Sequence, residues 1–120
     1  MVIALWIVGS ILALLYIFAG FTKALSGRES LLKKMPYTED FQPWQVKTIG
    51  VLEILGGLGI VLPLATGIAT ILTPIAALAL ALVQVFAGLV HIRRKETFVP
   101  SIVLFLVALF VGVGWLVVGV

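Results

Sequence analysis

Five polar side chains interrupt the apolar stretches of this sequence, and their types suit hydrogen bonding and proton exchange. They are Tyr16, Lys23, Glu53, Gln84 and His91. Glu53 stands in IGVLEILGGLGIVLP, where the other fourteen residues carry no charge. An ionisable group at the centre of a membrane helix costs roughly 2.5–3.5 kcal/mol on insertion scales, so its presence indicates a function or a buried partner.

Helical spacing places these polar groups on faces made of small residues. On a helical wheel Glu53 shares its face with Gly50, Gly56 and Gly57. The opposite face carries three leucines, Leu55, Leu58 and Leu62. Small residues permit close approach between membrane helices. The carboxylate is therefore predicted to face a neighbouring helix, while the leucines face lipid.

The first and third apolar segments repeat this arrangement. Tyr16 and Lys23 are seven residues apart and share a face with Gly20; Gln84 and His91 are also seven apart and share a face with Gly88. At 1.5 Å per residue, Tyr16 and Gln84 lie about 10 Å deeper than Lys23 and His91, level with Glu53. The five polar groups are thus expected to form one cluster in one half of a helical bundle.

The elements that must position this cluster are four apolar segments, at about 2–22, 46–64, 68–90 and 99–120. Each is long enough to cross a hydrocarbon core of roughly 30 Å as a helix. With 62% hydrophobic residues, the chain 1–120 is predicted to be a single all-α domain, an antiparallel four-helix integral membrane bundle. Pro74 is expected to kink the third helix, with Thr70 or Thr73 satisfying the freed carbonyls.

The stretch LLKKMPYTEDFQPW between the first two segments mixes apolar and charged residues, and we expect an interfacial segment there. All eight lysines and arginines lie in or beside the first and third connections. By the positive-inside rule, both basic loops face the cytoplasm and both termini face outside, in a bacterial or archaeal cell membrane. The modest net charge of +3 makes nucleic acid a poor partner.

Several chemistries do not fit these residues. There is one histidine, which is too few for a bis-histidine haem, and no cysteine for a disulfide or thiolate metal site. Glu53 and His91 are too few for a zinc or di-iron centre, so no metal site is predicted. The cluster instead suits a polar headgroup or a quinone carbonyl, with the bundle holding an apolar tail.

The order of these features resembles the DoxX-like family of small four-helix membrane proteins. The resemblance rests on FAGFTK with Gly20 and Lys23, on IGVLEILGGLGIVLP with Glu53, on LTPIAALALALVQVFAGLVHIRRKE with His91, and on a terminal apolar helix. It implies a four-helix bundle and an association with quinone-linked oxidoreductases or their assembly.

Two classes of function follow as hypotheses. In the first, the protein is a non-catalytic subunit or a quinone- or lipid-binding module of a membrane oxidoreductase, with lipid and a redox partner or a second copy around it. In the second, it is a small proton-coupled transporter; an assembly chaperone is a further alternative. Under the first hypothesis, Glu53→Gln is expected to fold with little loss of stability and to lose binding.

Overall fold

A computed structural model describes all 120 residues, Met1–Val120, and contains five α-helices. Four of them are long and apolar enough to span a membrane. They are α1 (Val2–Leu25), α3 (Pro43–Thr66), α4 (Leu72–Arg93) and α5 (Val99–Val118); the short α2 (Arg28–Lys34) and a 3₁₀ segment (Pro36–Asp40) connect α1 to α3. The predicted all-α four-helix membrane bundle with a structured segment between its first two spans is confirmed.

The tightest contact in the bundle lies between α1 and α3, where two glycines meet. A Cβ atom added to Gly20 would lie 2.5 Å from the carbonyl oxygen of Gly50, and one added to Gly50 would lie 2.6 Å from that of Gly20. Further along, a Cβ atom on Gly57 would lie 2.8 Å from the carbonyl oxygen of Ala13. The two backbones therefore touch without intervening side chains, which only glycine allows.

The two remaining glycines predicted to lie on packing faces, Gly56 and Gly88, differ in how much space surrounds them. Gly56 of α3 faces the side chain of Leu80 in α4, which a Cβ atom would approach to 2.9 Å. Gly88 of α4 faces Ser101 of α5, at an ordinary contact distance of 3.6 Å for a Cβ atom. Gly88 is therefore not obligatory on steric grounds, whereas Gly20, Gly50 and Gly57 are.

The half of the bundle away from the basic residues is filled with apolar side chains. Trp6 and Trp115 pack edge to face, with ring centroids 6.0 Å apart. We call the buried residues of this half the apolar plug: Leu5, Leu12, Ile60, Val111 and Trp115. None of the five polar side chains of the predicted cluster lies in this half.

The start of α4 differs from the prediction. The chain leaves α3 through Gly67, whose φ of 72° is left-handed, and α4 begins only at Leu72 rather than at residue 68. Pro74 therefore lies in the first turn of α4, where backbone N–H groups have no intrahelical acceptor. The expected kink was wrong for this reason, and the buried Thr73 hydroxyl makes no hydrogen bond.

The connection from α1 to α3 folds back against the bundle. Leu31 of α2 and Thr38 of the 3₁₀ segment are buried, and Thr38 donates a hydrogen bond to the carbonyl oxygen of Met35 at 2.8 Å. Gln42 and Gln45 form a reciprocal capping box at the start of α3, with Pro43 as its first residue. The segment thereby reaches the same end of the bundle as the polar cluster.

Candidate functional site

A cavity of about 760 Å³ lies between the four spanning helices, mainly in the half of the bundle that carries the basic residues. Sixteen of its 23 lining residues are hydrophobic, so most of its wall suits an apolar group. All five polar residues singled out in the sequence also line it: Tyr16, Lys23, Glu53, Gln84 and His91. The structure therefore brings the predicted cluster together around one space.

Lys23 and Glu53 form an ion pair that joins α1 to α3. The Lys23 ammonium donates to Glu53 Oε1, and the two side chains are only 10% and 4% exposed. The contact between Gly20 and Gly50 lies one helical turn from both residues and draws the helices close enough for this pairing. Each charge thus has a partner, which a buried charge requires.

Tyr16 and Gln84 form a second link, between α1 and α4. The Gln84 amide nitrogen donates to the Tyr16 hydroxyl at 2.7 Å, and that hydroxyl lies 3.4 Å from the carbonyl oxygen of Leu80, to which it donates. Both side chains are buried. This link fixes the deeper polar wall of the cavity.

His91 lies at the membrane edge of the cavity and is held by two residues from the connections between the spanning helices, Glu96 and Tyr37. Its Nδ1 atom is 3.0 Å from Glu96 Oε1, and the ring of Tyr37 packs edge to face on the imidazole with centroids 5.2 Å apart. The Lys23 ammonium also lies over the Tyr37 ring, with its Nζ atom 5.8 Å from the ring centroid. One tyrosine thus lies against two of the cluster's four ionisable groups, Lys23 and His91.

The predicted site residues included neither Ser101 nor any residue of the connection between α1 and α3, although both contribute to the lining of the cavity. Met35, Tyr37 and Phe41 reach the cavity from the connection between α1 and α3, and Ser101 reaches it from the first turn of α5. Tyr37 and Phe41 are four residues apart in the mixed stretch already assigned to the interface, and their rings pack edge to face at 6.4 Å. That aromatic spacing was the available signal, but it did not show which way the loop folds.

Ion pairs hold the connection between α1 and α3 against the end of α4, beside the cavity. Arg94 Nη1 donates to Glu39 Oε1 at 2.8 Å and to Asp40 Oδ1 at 2.9 Å, and its Nε atom lies 3.2 Å from Glu96 Oε2. Arg93 Nη2 donates to the other oxygen of Asp40 at 3.1 Å. These contacts form an ionic clamp between the 3₁₀ segment and the end of α4.

The clamp shifts the titration of two of its members. The hydrogen bond to Glu39, with smaller contributions from Glu96 and Asp40, raises the pKa of Arg94 above its usual range. The hydrogen bond with His91, followed by that with Arg94, lowers the pKa of Glu96. Both shifts favour the charged forms of Arg94 and Glu96 near neutral pH.

Fold and site together define a small integral membrane protein of four spanning helices around a cavity that is polar at one end. The chain belongs to the DoxX-like family, whose sequence model matches residues 7–114. No curated protein and no solved structure matches it. Architecture and family membership are thereby established.

Proposed function

We propose that this protein is a non-catalytic module that binds an amphiphilic molecule, a quinone or a lipid, in the bilayer on behalf of a membrane oxidoreductase. The observation that carries the proposal is the cavity itself. It combines a largely hydrophobic wall with hydrogen-bonding groups gathered at one end. Ligand sites commonly have this composition, an apolar lining with a few placed polar groups.

The volume of the cavity suits this class of ligand. Small-molecule sites in proteins commonly measure roughly 300–1,000 Å³, and this cavity measures about 760 Å³. An aromatic or glycerol-sized head and part of an apolar chain fit within it. A longer chain would extend from the cavity into lipid.

The lining also suggests how such a molecule reaches the site. Leu52 of α3 and Val83 and Phe86 of α4 line the cavity and are also exposed on the outside of the bundle. In the membrane, that surface is in contact with acyl chains. A ligand dissolved in the bilayer therefore reaches the cavity between α3 and α4 without passing through water.

The proposed link to an oxidoreductase rests on the family resemblance and on the chemistry of the cluster. The lining residues offer hydrogen bonds and acid–base groups, and none of them is a cysteine or a second histidine that would hold an electron carrier. A redox reaction of the bound molecule would therefore need electrons from a partner protein. The 3₁₀ segment and the exposed residues around it are the surface nearest to the head end of the cavity.

The test is native mass spectrometry of the purified protein, combined with lipid extraction to identify any retained molecule. Ala87→Phe fills the cavity, because Ala87 lines it. Ala4→Phe is the matched control, because Ala4 lies exposed on α1 near the opposite end. We expect a retained amphiphile in the unmodified protein and in Ala4→Phe, and its loss in Ala87→Phe. Equal retention in all three proteins would reject the cavity as the binding site.

A further inference from the structure

We infer that the cavity selects an amphiphile with an uncharged, hydrogen-bonding head, and that it discriminates against fatty acids, anionic lipids and cationic amphiphiles. This inference rests on the proposed function and specifies its ligand class. It comes from the pairing of charges around the cavity. The lining contains Lys23, Glu53 and His91 as the groups that can carry charge near neutral pH.

The charges of Lys23 and Glu53 cancel within the site. They contact each other directly and both are buried, so the pair presents a dipole rather than a net charge to the cavity. His91 adds no unpaired charge. When it is neutral there is none, and when it is protonated its Nδ1 atom faces the Glu96 carboxylate at 3.0 Å.

The nearby arginines do not change this balance. Arg93 and Arg94 are absent from the lining and contact Asp40, Glu39 and Glu96 in the ionic clamp. No lining cation is therefore left over for an anionic head. An acid at Lys23 would either displace Glu53, which leaves a buried carboxylate without its partner, or place a second negative charge beside Glu53 in a mostly apolar space.

A cationic head is disfavoured for the corresponding reason, because the lining offers it no unmatched negative charge. Glu53 is the only carboxylate in the lining, and its charge is already matched by Lys23. Bringing a second cation to Glu53 would place two positive charges together in a space that is mostly apolar. Low polarity strengthens that repulsion.

Uncharged heads have several partners in the same place. Tyr37 and Ser101 line the cavity and carry hydroxyl groups, and the Tyr37 hydroxyl, which donates to Met35 Sδ at 3.8 Å, can still accept a hydrogen bond. The Gln84 amide has a second polar atom beside the nitrogen bonded to Tyr16. The ion pair itself supplies further donor hydrogens on Lys23 and a second acceptor oxygen on Glu53. A carbonyl or a hydroxyl is satisfied by these groups without breaking any pairing.

The experiment compares four probes that share a decyl chain and differ only in the head. They are a decyl-substituted benzoquinone, 1-decanol, decanoate and decyltrimethylammonium, titrated into the detergent-solubilised protein near neutral pH by native mass spectrometry. Binding is counted only where Ala87→Phe reduces it. We expect the two uncharged probes to bind at least tenfold more tightly than either ionic probe.

Variants of the ion pair test the cause of this selectivity. Glu53→Gln leaves Lys23 unmatched and is expected to raise the affinity for decanoate at least tenfold. The double variant Lys23→Gln/Glu53→Gln removes both charges and is expected to restore discrimination against decanoate. The comparison of probes on the unmodified protein decides the inference even if a variant does not fold.

The outcomes separate the two proposals. If an ionic probe binds the unmodified protein as tightly as the uncharged ones, the inference from charge pairing is wrong, while the cavity remains a binding site. If Glu53→Gln folds and does not gain affinity for decanoate, charge pairing is not the cause of selectivity and the inference also fails. If no probe binds in a manner sensitive to Ala87→Phe, the proposed function itself fails and the inference with it.

Discussion

Removing one partner of the Lys23–Glu53 pair should destabilise the bundle more than removing both. Breaking a buried ion pair typically costs about 3–5 kcal/mol, because it leaves an uncompensated buried charge. In Glu53→Gln the remaining charge is on Lys23, whose side chain is 10% exposed and reaches towards the membrane edge. We therefore expect the lower end, about 3 kcal/mol. In Lys23→Gln the remaining carboxylate is only 4% exposed, so the loss should be at least as large.

The double variant Lys23→Gln/Glu53→Gln leaves two neutral amides that can hydrogen-bond, and its loss should be about 1 kcal/mol. The measurement is a double-mutant cycle by reversible unfolding in mixed micelles of dodecyl maltoside and sodium dodecyl sulfate. If the double variant loses the sum of the two single losses to within about 0.5 kcal/mol, the pair is not coupled and the reasoning is refuted. The sequence alone predicted little loss for Glu53→Gln; the ion pair observed in the structure revises that expectation upwards.

Three further outcomes are expected. Gly50→Ala should lower the free energy of unfolding by about 2 kcal/mol in the same assay, because the added Cβ atom meets the backbone of α1. Gly88→Ala is the control and should be nearly neutral, because its nearest neighbour lies 3.6 Å from the added atom. Equal losses in the two variants would contradict the packing argument. Because hydrogen bonds with His91 and Arg94 lower the pKa of Glu96, the stabilising contribution of Glu96 is present above its ordinary value of 4.5 and is lost as the pH falls through the lower folded value. Amide exchange in Pro36–Asp40, corrected for intrinsic rates, should therefore be faster at about pH 4 than at about pH 6. An unchanged exchange rate would show that Glu96 does not help to hold this segment. Single cysteines replacing Thr66 and Thr97 should react with impermeant reagents from opposite sides of the membrane, the second from the cytoplasm, and labelling from one common side would reject the predicted topology.

Most of the fold was predictable because the bilayer leaves a chain of this composition few alternatives. Lengths of about 20 apolar residues require helices, and short connections require antiparallel neighbours. The error at the start of α4 arose because the hydropathy stays high through the turn. Ile68, Ala69 and Ile71 are as apolar as the residues of a spanning helix. The helix start is determined instead by the left-handed backbone at Gly67 and Ala69, which no hydrophobic pattern reports.

The site was predictable in part for a similar reason. Helical phase and depth relate Tyr16 to Lys23 and Gln84 to His91 along single helices, and the glycines indicated which faces meet. These patterns did not predict which side chains pair across helices, because that pairing depends on the relative rotation of α1 and α3. The spacing of Tyr37 and Phe41 did not show that Tyr37 reaches the cavity, since this requires the loop to fold back towards α4, where Arg94 contacts Glu39 and Asp40.

The apolar plug determines with which part of the membrane the cavity exchanges. The cavity ends below a layer in which Leu5 and Val111 are fully buried and Leu12 and Ile60 nearly so. For the ligand proposed above, this layer would close the end of the cavity that lies away from the basic residues, so exchange would take place with the leaflet on the other side. The occupancy of the site would report the composition of a single leaflet, and movement across the membrane would require the plug to separate.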